Sequence, residues 1–360
     1  MTYEELLTKQ AYLKQKPISA TIELLPLCNM NCDMCYVRLS HDELNKEGKL
    51  LTYQQWLEIA KDMQQYGILF ILITGGEPLL YPHFKELYIE LKKMGFIISL
   101  NTNGTLLNEQ WVNFFLQYKP RRINITLYGS NNDTYSSLCH YPNGFTYTIN
   151  AIKLLIQNQL PVKINGSIVQ ENQDELEDLY NICNEYNVPI HVDTYMIPKI
   201  TNNLINQGSI RLSPQDMAQA EITMLKHEST KDAFEEYVRT TIAKLEQKDT
   251  HPKGISCQAG NTSFAINWKG LMLPCISMKG ITIDVLKHGI EESWNYITTK
   301  SKELVLDNKC TTCSYRPICK TCVASAYLET NHYDQAPKYL CEYSKEFVKL
   351  LYKENRGYNS

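Results

Sequence analysis

Ten of the twelve cysteines in this 360-residue chain fall into two groups, and the first group has the spacing of a metal-cluster site. Cys28, Cys32 and Cys35 follow one another as C-x3-C-x2-C. Three thiolates cannot saturate a cluster of four irons, so one iron is left open for an amino acid that chelates through its amino and carboxylate groups. A structural zinc site, which normally takes four protein ligands, is the alternative. The spacing favours the iron–sulfur cluster.

The second group occupies the C-terminal part of the chain. Its core reads C-x2-C-x5-C-x2-C, preceded by C-x12-G-x4-C and followed by one more cysteine; its members are Cys257, Cys275, Cys310, Cys313, Cys319, Cys322 and Cys341. The two C-x2-C pairs could instead close a zinc knuckle of four cysteines. Cys139 and Cys183 stand apart, and we expect both to be small buried apolar residues.

The glycine-rich segment Gly75-Gly76-Glu77-Pro78 follows a predicted strand, at the rim where parallel barrels assemble their sites. Glycines let the backbone approach a ligand closely, and a carboxylate can pair with an ammonium group. Taken alone, the four residues could equally form an ordinary turn. Their position beyond the first cysteine group favours a role in binding.

Alternating β-rich and amphipathic runs from Ala20 to about Ile200 predict βα units around a parallel sheet. Six strands are enough to curve the sheet but not to close an eight-stranded barrel. The expected strands are Ser19 to Leu25, Leu69 to Thr74, Ile97 to Asn101, Arg122 to Leu127, Val162 to Val169 and Ile190 to Tyr195. The expected helices between them are Thr52 to Tyr66, Tyr81 to Met94, Asn108 to Gln117, Phe145 to Asn158 and Asp174 to Tyr186.

The remaining sequence predicts a bridge and a smaller second domain. Ser213-Pro214 is a favourable start for a helix that reads on to about Gln247. A hairpin with Gly270 at its turn and a final helix from about Tyr339 follow, and we expect bound metal to stabilise this region. The expected divisions are an N-terminal extension (1–18), a partial barrel (19–212), a helical bridge (213–256) and a cysteine-rich domain (257–360).

Composition and charge narrow the class of protein. Apolar residues make up 43% and charged residues 21%, as in folded proteins. A net charge of −3 with scattered Lys and Arg gives no support to nucleic-acid binding. No stretch approaches the ~18 apolar residues that span a bilayer, and the first residues lack a secretory apolar segment. We therefore expect a cytoplasmic protein with reduced thiols, in which metal or cluster ligation accounts for the cysteines better than disulfides do.

These motifs together resemble the signature of the radical S-adenosylmethionine (SAM) superfamily, whose fold would be an α/β partial (β/α)6 TIM barrel. The resemblance implies a cluster on Cys28, Cys32 and Cys35, and cofactor contacts from the cysteine loop, the glycine segment and later strand ends. This chain has Met34 before the third cysteine and Tyr36 after it, whereas the family has its aromatic before it. The implied contacts are Met34, Tyr36, Gly75, Gly76, Glu77, Pro78, Asn103, Thr126 and Asn165. Tyr128 replaces an acid of the family, which puts that acid's role in doubt.

The second cysteine group is similar to the SPASM extension of this superfamily, which carries two auxiliary clusters. The resemblance implies an outer cluster on Cys310, Cys313, Cys319 and Cys341, and an inner one on Cys257, Cys275 and Cys322. The inner cluster would lack a fourth protein ligand. Sulfatase-maturing relatives have a further cysteine where this chain reads QAGNTSFAI and an aspartate at the position of Ile276, so that activity is disfavoured.

The family chemistry implies three four-iron, four-sulfur clusters, SAM, a 5′-deoxyadenosyl radical and an electron donor such as a reductase, ferredoxin or flavodoxin. The leading hypothesis is an oxidoreductase that cross-links or oxidises a ribosomally made precursor peptide. Oxidation of a small molecule is the alternative within the class, and a non-catalytic electron-transfer protein is the alternative outside it. No general acid or base is identifiable; Tyr128 or Tyr195 could line the pocket, although packing accounts for either.

Overall fold

The structure, a computed structural model, describes residues 3–198, 200–201, 204–205, 210–247, 251 and 254–358. Its strands are β1 (Ser19–Glu23), β2 (Phe70–Thr74), β3 (Ile97–Thr102), β4 (Arg122–Leu127), β5 (Val162–Ser167), β6 (Ile190–Asp193), β7 (Ile200–Thr201), β8 (Leu204–Ile205), β9 (Ser263–Ile266), β10 (Leu271–Leu273) and β11 (Ile283–Asp284). The helices are α1 (Tyr3–Lys14), α2 (His41–Glu47), α3 (Tyr53–Tyr66), α4 (Phe84–Lys93), α5 (Glu109–Gln117), α6 (Asn132–Leu138), α7 (Gly144–Gln157), α8 (Leu176–Glu185), α9 (Pro214–Glu228), α10 (Lys231–Leu245), α11 (Val285–Glu303), α12 (Asn308–Thr311), α13 (Val323–Thr330) and α14 (Lys338–Tyr358).

The main sheet begins as a run of six parallel strands in sequence order, β1-β2-β3-β4-β5-β6. Ser19 of β1 stands opposite Phe70 of β2, and Ile164 of β5 stands opposite Ile190 of β6. Helices connect successive strands, so all six carboxyl ends meet at one rim. This confirms the predicted partial barrel and places the segments that follow the strands around a common space.

The sheet continues past β1 into the C-terminal part of the chain. Strand β9 pairs with β1 in parallel, with Ser19 opposite Ser263, and β10 and β11 add antiparallel strands beyond it. The expected hairpin with its turn at Gly270 is therefore present, but it extends the barrel sheet and covers the edge that β1 would otherwise expose. Strands β7 and β8 form a separate antiparallel pair.

Local capping signals fix several helix ends. Thr52 accepts from the Gln55 N–H at 3.2 Å and the Gln55 side chain accepts from the Thr52 N–H at 2.9 Å, as the sequence predicts for the start of α3. The Ser213 side chain caps α9 by accepting from the Asp216 N–H at 3.1 Å. The expected single helix from Ser213 to Gln247 is two helices, because Thr230 caps a new helix, α10. Helices α1, α2, α6, α11, α12 and α13 were not predicted. Most of them are short or weakly patterned, and the long helix α11 is interrupted at Gly289, where φ is +71°.

The last helix, α14, is amphipathic. Leu340, Tyr343, Phe347 and Leu351 are at most 1% exposed and face α9 and α10, against which the helix packs. This packing gives the C-terminal region an apolar attachment that the sequence interpretation, with its emphasis on bound metal, did not anticipate. No helix in the described ranges has both the length and the apolarity needed to cross a bilayer.

Candidate active site

A cavity of about 550 Å³ lies at the rim formed by the carboxyl ends of β1 to β6 and is closed on one side by C-terminal residues. We call it the central cavity. Twelve of the predicted site residues line it: Cys28, Cys32, Met34, Cys35, Tyr36, Gly75, Gly76, Asn103, Thr126, Asn165, Cys275 and Cys322. The other predicted residues lie outside its lining: Glu77, Pro78, Cys257, Cys310, Cys313, Cys319 and Cys341.

The loop of the first cysteine group directs N–H groups at its sulfurs. The Met30 N–H donates to Cys28 Sγ at 3.4 Å and the Arg38 N–H donates to Cys35 Sγ at 3.3 Å. Burial raises the pKa of the Cys28 thiol to about 12, and the Met30 hydrogen bond opposes the shift. A cation bound at these sulfurs would favour the thiolate form that ligation requires.

Cys32 has two hydrogen-bond partners that the sequence spacing did not predict. The Cys139 thiol and the Tyr128 hydroxyl form side-chain hydrogen bonds that lower the pKa of Cys32, with Cys139 contributing most. Two backbone bonds dock the loop on this segment: the Asn31 N–H donates to the Cys139 carbonyl at 3.0 Å and the Asp33 N–H to the Leu138 carbonyl at 3.0 Å. Cys139 is buried, as expected, but it supports the first cysteine group.

The neighbouring backbone leaves no room for a side chain at either glycine of the glycine segment. The Gly76 N–H donates to the Leu25 carbonyl at 2.8 Å, and the Glu77 N–H donates to the Leu27 carbonyl at 2.9 Å. A Cβ at Gly76 would lie 2.2 Å from the Leu27 oxygen, and one at Gly75, where φ is +139°, would lie 2.4 Å from the Leu25 oxygen. The close approach fixes the residues immediately before Cys28 against the end of β2.

Glu77 is fully buried and faces the end of β3. Its carboxylate accepts from the Thr102 hydroxyl at 2.9 Å, the Asn103 N–H at 2.8 Å and the Leu79 N–H at 3.1 Å. Burial raises the pKa of Glu77 to about 7, and these hydrogen bonds oppose the shift. Its pairing with a ligand ammonium stays a prediction.

Asn103 connects this network to the cysteine loop. Its side-chain N–H donates to Asn29 Oδ1 at 2.9 Å and lies 3.6 Å from Cys28 Sγ, while Asn29 Nδ2 donates to the Thr105 hydroxyl at 2.8 Å. A buried carboxylate therefore orients the backbone of Asn103, and Asn103 in turn contacts a cysteine of the first group.

Polar side chains at the ends of β4 and β5 face the central cavity. Thr126, Asn165 and Ser167 are half-buried, and none forms a side-chain hydrogen bond within the described part of the chain. Ser167 was not predicted, although it lies two positions after Asn165 and therefore on the same face of β5. These groups suit a ligand that carries hydroxyl and charged groups.

The second cysteine group divides into two sets. Burial raises the pKa of the Cys275 thiol, and nearby Cys322 and Cys257 raise it further. Burial likewise raises the pKa of Cys310 to about 11, with Cys341 and Cys319 as the next contributors. Cys341 has Cys319 and Cys313 as its neighbours. Cys322 thus accompanies Cys275, and the four members of the alternative zinc knuckle are split between the sets.

In the described residues, no three His, Cys, Asp or Glu side chains stand close enough to hold one metal ion. A cube of four irons and four sulfurs separates its ligand thiolates more widely than a single ion does, so this finding does not exclude clusters. The cavity therefore fits a cluster on the first cysteine group together with a polar cofactor beside it. Gly75, Gly76, Asn103, Thr126, Asn165 and Ser167 are the residues available to that cofactor.

Sequence reasoning missed a buried ionic network on the far wall. Tyr128 and Tyr195, which the sequence named as possible lining residues, both line the cavity. The Tyr195 hydroxyl donates to Glu329 Oε1 at 2.8 Å, and Arg211 Nη2 lies 3.0 Å from the same oxygen. It also missed Glu23 at the end of β1. Burial raises the pKa of Glu23 to about 7, and the charge of Lys279 opposes this shift. Neither site belongs to a recognisable motif.

Comparisons with known proteins agree with this geometry. The model of the radical SAM superfamily matches residues 22–183. The AdoMet-dependent heme synthase of Methanosarcina barkeri is 22% identical over 334 residues, which cover 88% of this chain and 94% of that protein. The antilisterial bacteriocin subtilosin biosynthesis protein AlbA of Bacillus subtilis is 24% identical over 342 residues, which cover 91% of this chain and 71% of that protein.

The fold is shared with Streptococcus suis SuiB. The SuiB structure bound to S-adenosylmethionine has a TM-score of 0.68 at 16% identity, covering 94% of this chain and 80% of that chain. A second SuiB structure, bound to the precursor peptide SuiA, has a TM-score of 0.67. Residues 22–183, which match the model of the radical SAM superfamily, are a radical SAM domain.

Proposed function

We propose that this chain is a radical SAM enzyme that modifies a ribosomally made precursor peptide by forming a thioether or carbon–carbon cross-link. The observation that carries the proposal is the central cavity itself, because Cys28, Cys32 and Cys35 face it from one side and Cys275 and Cys322 from the other. A substrate held there would lie between the site of radical formation and a second cluster. AlbA, by its name, and SuiB, by its bound peptide, are peptide-handling proteins of similar sequence or fold.

The cofactor assignment follows the sets of cysteines. Cys28, Cys32 and Cys35 would hold the cluster that binds SAM. The cluster and SAM together would supply a radical that removes a hydrogen atom from an unactivated carbon. Two auxiliary clusters complete the proposal, an outer one on Cys310, Cys313, Cys319 and Cys341 and an inner one on Cys257, Cys275 and Cys322. The inner cluster would have one open iron, free to bind a substrate thiolate. A reductase, ferredoxin or flavodoxin would supply electrons.

The protein's own residues position the reactants. Asn103 contacts Cys28 Sγ and is itself held by Glu77, so the cysteine loop and the end of β3 keep one arrangement. Thr126, Asn165 and Ser167 line the cavity and would supply hydrogen bonds to the cofactor. Met34, Met196 and Leu328 make part of the lining apolar, which keeps water away from a reactive carbon. The divisions 1–18, 19–212, 213–256 and 257–360 stand as the proposed domains, and the second and fourth both contribute strands to the main sheet.

The test is anaerobic reconstitution with iron, sulfide, dithionite and SAM. We expect 5′-deoxyadenosine from the wild type and none from Cys32→Ala, which should keep its auxiliary iron. Cys183→Ala changes a buried cysteine that is outside both cysteine groups, and it is the matched control. If the wild type forms no 5′-deoxyadenosine, or Cys32→Ala forms as much as the wild type, the proposal is wrong.

The substrate class needs a separate readout. Co-expression with a short peptide encoded beside this gene should give a peptide that has lost two hydrogen atoms, and its fragmentation should locate the cross-link. The full-length match to a heme synthase favours chemistry on a small molecule as the second candidate. Cofactor cleavage that accelerates with a small molecule but leaves such peptides unchanged would select that candidate.

A further inference from the structure

The outward face of α14 carries a line of cations that begins next to the outer set of cysteines. Lys345, Lys349, Lys353 and Arg356 are exposed and recur at helical spacing after Cys341. From Cys341 to Arg356 the helix rises about 22 Å at ~1.5 Å per residue. With Tyr315 and Tyr352 these four residues line a groove of about 540 Å³, which we call the basic groove.

The basic groove is poorly neutralised. Lys349 pairs with Glu346 at 2.7 Å, and Glu246 accepts from the Tyr352 hydroxyl at 3.4 Å. Lys345, Lys353 and Arg356 form no ion pair within the described residues. The chain as a whole has a net charge of −3, so this concentration of positive charge is a local departure from its average. Such a patch attracts acidic partners and speeds their association.

The groove adjoins the outer set of cysteines on both walls. Lys345 is one helical turn after Cys341; burial raises the pKa of the Cys341 thiol, and the charge of Lys345 acts against it. On the other wall, Tyr315 is two residues after Cys313. The groove shares no lining residue with the central cavity. A molecule bound here would therefore lie beside the proposed outer cluster and away from the substrate.

We propose that the basic groove docks an acidic one-electron carrier protein of the flavodoxin or ferredoxin class. The inference rests on the proposed function, because it needs the outer cluster as the acceptor. In the transfer, the reduced carrier loses one electron, the iron–sulfur group on the outer cysteines gains it, and no proton or other group moves. An acidic precursor peptide is the competing occupant, but its reactive carbon must reach the central cavity.

The experiment compares charge reversal in the groove with a matched reversal elsewhere. The groove variant is Lys349→Glu/Lys353→Glu/Arg356→Glu, and the control is Lys9→Glu/Lys14→Glu/Lys119→Glu, which makes the same change in net charge at exposed positions of α1 and of the segment after α5. A third variant, Lys353→Gln/Arg356→Gln, removes charge without placing carboxylates at the end of α14. All are prepared as iron-loaded holoenzyme, with iron content measured.

The first readout is the Kd for an acidic flavodoxin as a function of salt; the second is the rate of reduction by that flavodoxin and, separately, by dithionite. We expect the groove variant to bind about tenfold or more weakly, with a flatter salt dependence, and to be reduced slowly by flavodoxin but normally by dithionite. The Gln variant should fall between it and the wild type, and the control should match the wild type.

Equal binding by groove variant, control and wild type would overturn the docking proposal, as would a groove variant that loses only binding of a precursor peptide. A groove variant that loses iron is replaced by the Gln variant, which is judged on the same two readouts. If dithionite yields no cofactor cleavage even in the wild type, the proposed function fails, while the flavodoxin binding curves still decide whether the groove docks the carrier.

Discussion

Arg211 and Glu329 form an ion pair in which both side chains are buried, with 8% and 5% of their surfaces exposed. Arg211 Nη2 lies 3.0 Å from Glu329 Oε1. The Arg211 guanidinium also stacks on the Tyr339 ring, 3.7 Å from its centre, and Glu329 accepts from Tyr195 at the cavity wall. The pair thus joins the segment before α9, helix α13 and helix α14 behind the central cavity.

Removing one partner of this pair should destabilise the protein strongly. Arg211→Met leaves the Glu329 carboxylate buried without its cation, and we expect a loss of about 3 kcal/mol or more in the free energy of unfolding. The double variant Arg211→Met/Glu329→Leu should recover most of it, because no unpaired charge remains. Chemical unfolding under anaerobic conditions measures both. The exposed pair Lys93 and Glu90 is the control, where Lys93→Met should change stability by less than about 1 kcal/mol.

Gly76→Ala should disturb the cysteine loop through a steric clash alone, because Gly76 does not have a positive φ. The added Cβ would meet the Leu27 carbonyl, so the residues before Cys28 must move, and we expect the variant to lose most of the iron bound by the first cysteine group. Gly254→Ala is the control, because its Cβ would come no closer than 3.5 Å to a neighbouring atom. Iron analysis and the electron paramagnetic resonance spectrum of the reduced protein provide the readouts. Normal iron in Gly76→Ala would contradict the packing argument.

Glu23 should make stability fall as pH rises. Its pKa is about 7 in the folded chain against an ordinary value of 4.5, so the folded state binds the proton more tightly. The stabilisation is complete below about pH 4.5 and is lost as pH rises through about 7, by at most about 3 kcal/mol. Glu23→Gln should remove this part of the pH dependence. Urea unfolding of the metal-free protein between about pH 5 and about pH 8 measures it.

Lys279 provides the internal check on that assignment, because its charge lowers the pKa of Glu23. Lys279→Met should move the loss of stability to higher pH. An unchanged pH profile in both variants would mean that Glu23 does not titrate in this range.

The two sets of C-terminal cysteines can be separated by metal analysis. Cys322→Ser should remove the inner cluster and leave the outer one, while Cys313→Ser should do the reverse. A zinc knuckle on Cys310, Cys313, Cys319 and Cys322 predicts instead that either change removes the same single zinc. Iron, sulfide and zinc contents of the two variants distinguish these outcomes, and identical metal loss would refute the division.

The partial barrel was predictable because its strands are short apolar runs separated by amphipathic helices, and their bounds differ from the structure by only a few residues. The pairing of β9 with β1 was not, because it joins residues far apart in sequence and no local pattern specifies that register. Helix α1 was missed since MTYEELLTKQAYLKQK has no regular apolar face.

The candidate site likewise has a part that local sequence patterns predict and a part that they do not. Spacing identified the ten grouped cysteines and the four residues of the glycine segment, and the fold places half of these residues on one cavity. It could not reveal that Cys139 supports Cys32, that Glu77 faces β3, or that Arg211 reaches Glu329, because these contacts depend on how separate elements pack. The roles of the individual site residues stay predictions that the variants above test.

The pairing of β1 with β9 has a consequence for synthesis. Residues 19–23 leave the ribosome long before residues 263–266, and at ~5–20 residues per second the delay is on the order of ten seconds or more. Throughout that interval the nascent barrel has an open edge at β1, whose unpaired N–H and C=O groups can recruit another chain. The sheet is therefore completed only when the last third of the polypeptide has been synthesised. A prematurely terminated chain keeps an unpaired edge at β1 that can pair with another chain.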